Sequence, residues 1–224
     1  MSFKRLAGFA GVVFVVLLVI NGAMLGDQPM AGDSVQEVRD YVAEDEGMHR
    51  AALFVGILVL PFAAILFAGI FEKLRESDRE HGEGWAVAAV VGAILIGAAA
   101  GVGDVLAATV FLRGGDGLDD STLRALWDGQ AIAYSSTGVA ITALTASAAV
   151  PTLRHKVWPM WHGLLGAVVA VLGVLATISV ISDTNSGSVW GFVAFIGLLV
   201  WSLATSMLLV RETSGAPSAA SAVP

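Results

Sequence analysis

Apolar and polar positions along the chain sort into six long apolar runs, at about residues 6–25, 51–71, 85–112, 131–150, 161–182 and 189–210, divided by shorter polar stretches. Each run is near or above the ~20 residues with which a helix crosses ~30 Å of hydrocarbon. A membrane strand would need only ~10 residues and would alternate, which these runs do not. The pattern predicts an all-α protein, a polytopic transmembrane helical bundle of six spans forming one domain over residues 1–212. The closing stretch TSGAPSAASAVP, residues 213–224, is small, polar and interrupted by proline, and is expected to be a disordered cytoplasmic tail. Lys4 and Arg5 precede the first run and NGA resembles a signal cleavage site, but the run is long for a signal sequence and is expected to stay as a span.

Two polar stretches carry a helical period of their own. In GDSVQEVRDYVAEDEGMHR, Ser34 and Glu37 have capping-box spacing, and Val35, Val38 and Val42 recur on one helical face among charges. In GLDDSTLRALWDGQ, Asp120 or Ser121 can cap a helix that presents Leu123, Leu126 and Trp127. Both are read as short extracytoplasmic amphipathic helices lying on the membrane or the bundle. Spans one and two then share a plan with spans three and four, as in a parallel repeat, and the last two spans form a hairpin through DTNSGS.

Composition agrees with a membrane class: 56% of residues are hydrophobic and 14% charged, against about 25% charged in soluble domains. Basic residues are held back on the cytoplasmic side during insertion, and they are unevenly placed. Lys4, Arg5, Lys73, Arg75, Arg79, Arg154, Lys156 and Arg211 fall at one end of the predicted bundle, and only Arg39, Arg50, Arg113 and Arg124 at the other. Both termini are therefore expected in the cytoplasm. The opposite face holds Asp27, Asp33, Glu37, Asp40, Glu44, Asp45, Glu46, Asp116, Asp119, Asp120 and Asp128, so it should attract cations. A net charge of −7 with this distribution offers no nucleic-acid surface. Trp85, Trp158, Trp161 and Trp190 sit at span ends like interfacial anchors, and Pro61 is expected to kink the second span.

One polar residue stands out within the spans. Asp104 interrupts GAAAGVGDVLAATVFLR, and its helix face carries Gly97, Ala100, Gly101, Ala107 and Ala108, a small-residue face of the kind that packs against other helices. A carboxylate at mid-membrane costs roughly 3 kcal/mol on the insertion scale and must be paired, hydrated or protonated. At comparable depth lie Asn21, His49, Arg50, Asp128 and Tyr134, with Arg50 as the favoured charge partner and His49 as the alternative. The same cluster reads either as a helix-locking clasp or as a site for a small molecule or cation. Hydroxyl stripes on the fourth and sixth spans (Thr137, Thr142, Thr145; Ser202, Thr205, Ser206) and the ridge Gly166, Ala170, Gly173 and Thr177 on the fifth are read as packing. No nucleotide loop, HExxH or GxSxG motif is present, no cysteine is available, and no cofactor or metal is expected.

The span plan, the acidic helix before HRAALFVGILVLPFAAILF, the LRALWDGQ element and the WPMWHGLLG opening of the fifth span together resemble uncharacterised six-span bacterial integral membrane proteins of the domain-of-unknown-function kind. The resemblance implies the bacterial inner membrane and brings no activity with it. Three functions remain open at this point. The first is binding or transport of a small ligand or ion through an outward-facing polar cavity around Asp104. The second is an accessory or regulatory subunit, acting through a membrane protein partner or a homo-oligomer. The third is a hydrolase with a metal on His49, Asp104 and Asp128.

Overall fold

The computed structural model describes residues 2–30, 32–114, 117–182 and 184–212, the side chains of 179–188 and 212 excepted. It contains seven helices: α1 (Phe3–Leu25), α2 (Val35–Glu44), α3 (Glu46–His81), α4 (Trp85–Arg113), α5 (Asp120–His155), α6 (Met160–Ser182) and α7 (Thr184–Glu212). Six of them, all but α2, are long and apolar enough to span a membrane. The predicted tail, Asp116 and the Asp183 turn position lie outside the described residues.

The long helices close a ring in the order α1, α3, α4, α5, α6, α7 and back to α1, with α5 deepest in the bundle. Local chemistry fixes their ends. Ser34 and Glu37 form the expected capping box of α2, with Ser34 donating its backbone N–H to Glu37 at 2.7 Å. Asp78 near the end of α3 caps its neighbour, accepting from the backbone N–H groups of Trp85 and Ala86 at 3.1 and 2.7 Å. Lys4 pairs with Glu76 at 2.6 Å and ties α1 to α3 at the basic end.

The second amphipathic element is not a separate helix. Residues 120–130 are the opening turns of α5, which runs unbroken to His155 through Pro151. Gly129 is the lone weak point in that stretch, and one glycine costs only about 1 kcal/mol of helix propensity. Its cap is Asp119, which accepts from Thr122 N–H at 3.0 Å, one residue before the expected position. Hydrogen bonds from Ser121 and then Thr122 hold the Asp119 carboxyl well below the usual carboxylate range. Pro61 likewise lies within an unbroken α3.

Small residues bring backbones together where the ring packs best. A Cβ at Gly92 on α4 would stand 2.5 Å from Leu144 N of α5, and one at Gly173 on α6 would stand 2.5 Å from Gly138 O of α5. The ridge Gly166, Ala170, Gly173 and Thr177 therefore does pack. The stripe hydroxyls bond mostly to their own helices; Thr142 also reaches Ala170 O at 2.8 Å.

Burial is divided into two layers. A large apolar core fills the basic half and the middle, from Ala7, Leu74 and Ala86 to Phe14, Val59 and Ala93. A smaller one sits at the acidic end, where Val38, Tyr41 and Val42 of α2 cover Ala107, Val110, Phe111, Leu123 and Trp127. Between them fall stretches without a fully buried residue, 53–58 on α3, 94–102 on α4 and 131–137 on α5, at staggered depths: level with the first and the last of these, α4 buries Gly103 and Ala107.

Candidate functional site

Asp104 lies between the two cores, beside the buried Gly103 and one turn from the buried Ala107. The rings of His49 on α3 and Phe111 on α4 are stacked, with centroids 4.6 Å apart and planes at 9°, which sets the antiparallel register of the two helices. Two turns below the stack, ~10 Å at 1.5 Å per residue, stand Gly56 on α3 and Asp104 on α4. A Cβ built on Gly97 or Gly101 meets nothing within 4 Å, because these glycines lie two turns and one turn from the 66% exposed Val105 on the outward face of α4, and one on Gly56 meets only the Asn21 side chain of α1. Gly97 and Gly101 thus do not form the helix-packing face expected of them; Gly92 and Gly103 carry that role on α4.

Asp104 is half-buried on the flank of the buried stripe of α4, about 100° round the helix from the lipid-facing Val105, and the pair it makes lies toward the outside of the bundle, since Tyr134 is 36% exposed. Its partner is Tyr134 of α5, whose hydroxyl donates to Asp104 Oδ1 at 2.5 Å, within the range of a charge-assisted O–H···O bond. Gly103 makes that reach possible, because a Cβ there would lie 2.9 Å from Cε1 and Cζ of the Tyr134 ring. Among the described residues no basic side chain pairs with Asp104.

The expected Arg50–Asp104 pair does not form. Arg50 is exposed and bonds Glu46 at 3.1 Å, one turn back on its own helix. His49 does not reach Asp104 either: it is 4% exposed, wedged between Phe111 and Tyr41, and its Nδ1 has no partner among the described residues. Asp128 faces Arg124 at 3.6 Å, one turn back on its own helix. The His49, Asp104 and Asp128 metal centre is thereby corrected, since no metal-ligand group is present among the described residues. Asn21 donates its amide N–H to Ala52 O at 2.7 Å and so ties α1 to α3. Of the six candidates, the structure joins Asp104 with Tyr134 and gives the other four different surroundings.

Two features escaped the sequence. The first is the plug two turns outward of Asp104, where Tyr41, His49, Phe111 and Trp127 pack edge-on, tilted or stacked, Trp127 Nε1–H donates to Pro29 O at 3.1 Å and Tyr41 Oη–H donates to Leu25 O at 2.7 Å. Arg39 locks α2 down by pairing with Asp120 at 2.7 Å. Under the plug, one turn above Tyr134, Gln130 is buried with its Oε1 unpartnered among the described residues. The second is at the basic end, where His81 and His155 stack 3.8 Å apart beside Glu83. Trp158, expected as an interfacial anchor, is instead buried against His162.

Outside the plug, Asp27, Asp33, Glu37, Asp40, Tyr41 and Glu44 line an open cavity of about 690 Å³. The fold and the site define an integral membrane protein: a multi-span helical bundle with an acidic mouth, an aromatic plug and a half-buried carboxylate bonded to a tyrosine. Comparison with protein-family models, curated proteins and solved structures finds no match to this chain.

Proposed function

We propose that this chain is a multi-pass protein of the bacterial inner membrane, its termini in the cytoplasm, which takes a monovalent cation from its acidic face to Asp104. The observation that carries the reading is a half-buried intramembrane carboxylate with a tyrosine hydroxyl for company and no basic partner among the described residues. A carboxylate so placed needs a countercharge, and an intramembrane ionisable group is by default a functional one. The acceptor at the site is oxygen: Asp104 Oδ bonded by the Tyr134 hydroxyl, with the unpartnered Gln130 Oε1 one turn further out on α5. Hard oxygens with one formal charge suit a singly charged cation better than a divalent one. The acidic mouth raises the local cation concentration, and α2 with its aromatic plug is the gate between the mouth and Asp104.

The test is thermal unfolding in nanodiscs as Na⁺ or K⁺ replaces N-methyl-glucamine at constant ionic strength. A ligand at 100 times its Kd adds about 2.7 kcal/mol, so Tm should rise by about 5–10 °C for a chain of this size. Asp104→Asn should abolish the rise and Tyr134→Phe should weaken it. A wild-type Tm indifferent to both ions, or an Asp104→Asn chain that still responds, would overturn the reading.

A further inference from the structure

At the other end of the bundle a cavity of about 590 Å³ opens between the C-terminal ends of α5 and α7 and the start of α6, and we propose that it binds the phosphate headgroup of an anionic phospholipid. Lys156 and Arg211 both line it, and neither side chain is in an ion pair or hydrogen bond with another described residue. A cation at the end of a helix also offsets the helix dipole, but that role does not require two of them to share one cavity.

Thr152, which also lines the cavity, spends its hydroxyl proton on Ala148 O. Pro159 caps α6, accepting from His162 N–H at 2.9 Å, so the N–H groups of Met160 and Trp161 in the first turn have no partner within the helix, and the positive end of the helix is turned to the same space. An ammonium, a guanidinium and a helix N-terminus form a donor set with one kind of complement, an oxyanion.

The walls select a lipid over a soluble anion. Leu153, Met160 and Leu208 line the cavity, and the first two are 40% and 69% exposed on the flank of the spans, where acyl chains would lie against them. Lys156 also holds φ 57° and ψ 38° at the C-cap of α5, a left-handed conformation that glycine usually fills there. The chain keeps a long cationic side chain at a position where glycine would fit the backbone better.

Native mass spectrometry of the full chain in mild detergent, titrated with phosphatidylglycerol and with phosphatidylcholine, tests the site. The wild type should retain phosphatidylglycerol preferentially. A juxtamembrane cation is worth about fivefold in attraction to anionic lipid, so K156Q/R211Q should lose roughly 25-fold in phosphatidylglycerol retention and none in phosphatidylcholine. Each single variant reads about fivefold of that loss should the pair fail to fold. Glycerol 3-phosphate in large excess should not displace the lipid. Equal retention of the two lipids by the wild type, unchanged retention in both single variants, or a loss as large in R75Q, which removes an exposed cation outside the cavity, overturns the proposal; displacement by glycerol 3-phosphate overturns it in favour of a free anion.

Discussion

Arg50 and His49 are adjacent in sequence and about 100° apart around the helix, so only one of them can face inward. Sequence spacing gives depth along a span well and azimuth poorly, and this is where the reading of Arg50 failed. The structure turns His49 to Phe111 and leaves Arg50 with Glu46, a pair four residues apart that forms on any exposed helix. Asp104 and Tyr134 were legible as polar residues of matching depth, but Gly103, which lets the ring approach, was not separable from Gly97 and Gly101 by type. The distinction is testable. Gly103→Ala drives a Cβ into the Tyr134 ring and should cost about 1–3 kcal/mol while weakening the cation response, as overpacking does. Gly97→Ala, with nothing within 4 Å of the new carbon, should be neutral or stabilising by up to about 1 kcal/mol. Tyr41 offers a pH readout of the plug. Burial first and Glu44 second push its hydroxyl up to about 12 from an ordinary value of 10.0, so its contribution to the closed lid is fully present below pH 10.0 and is lost as pH rises through about 12. The chain has two tyrosines, so phenolate absorbance in a Tyr134→Phe background reports Tyr41 alone; a midpoint near 10.0 would show an unprotected lid.

Six long helices were legible because a span needs an uninterrupted apolar length, and nothing in tertiary packing can shorten that requirement. The α2 cap was legible because Ser34 and Glu37 satisfy each other locally. The join between the second lid segment and α5 was not, since a helical period that changes from amphipathic to apolar does not say whether the backbone breaks between. Between spans, the α5–α6 contact shows which interaction holds helices together in this bundle. At Gly138 and Gly173 the two backbones approach so closely that either new Cβ would fall about 2.5–2.6 Å from the other helix's carbonyl oxygen, a distance with no room to relax on the backbone side. Thr142 adds one interhelical hydrogen bond at 2.8 Å, worth about 0.6 kcal/mol on the scale measured for membrane helices. Gly173→Ala should therefore destabilise by about 2 kcal/mol or more and Thr142→Val by about 0.6 kcal/mol in a reversible detergent-unfolding assay. A larger loss from the threonine would show that hydrogen bonding, not backbone approach, sets this crossing.

The two packed layers make the whole molecule a closed base under a separately held cap, with the polar level between them where the sequence shows only small residues and one acid. Composition cannot distinguish a small-residue face that packs from one that meets lipid, because both use glycine and alanine; only the positions of the neighbouring helices decide. Water beside Asp104 is the property on which cation binding depends, and the chain is well suited to measuring it because it contains no cysteine. A single thiol at Ala100 would stand one turn from Asp104 on its own helix face, one at Val105 would face the lipid, and one at Ala93, which is 9% exposed, the packed base. A cationic methanethiosulfonate added from the acidic side should modify the Ala100→Cys chain readily and the other two slowly, since a thiol must ionise in water to react. Trp127→Ala, which removes the largest ring of the plug, should speed modification at position 100 without changing it at 105. Equal, slow reaction at 100 and 105 would mean that no water reaches Asp104, and the aspartate would then be protonated and bonded to Tyr134 as a clasp between α4 and α5.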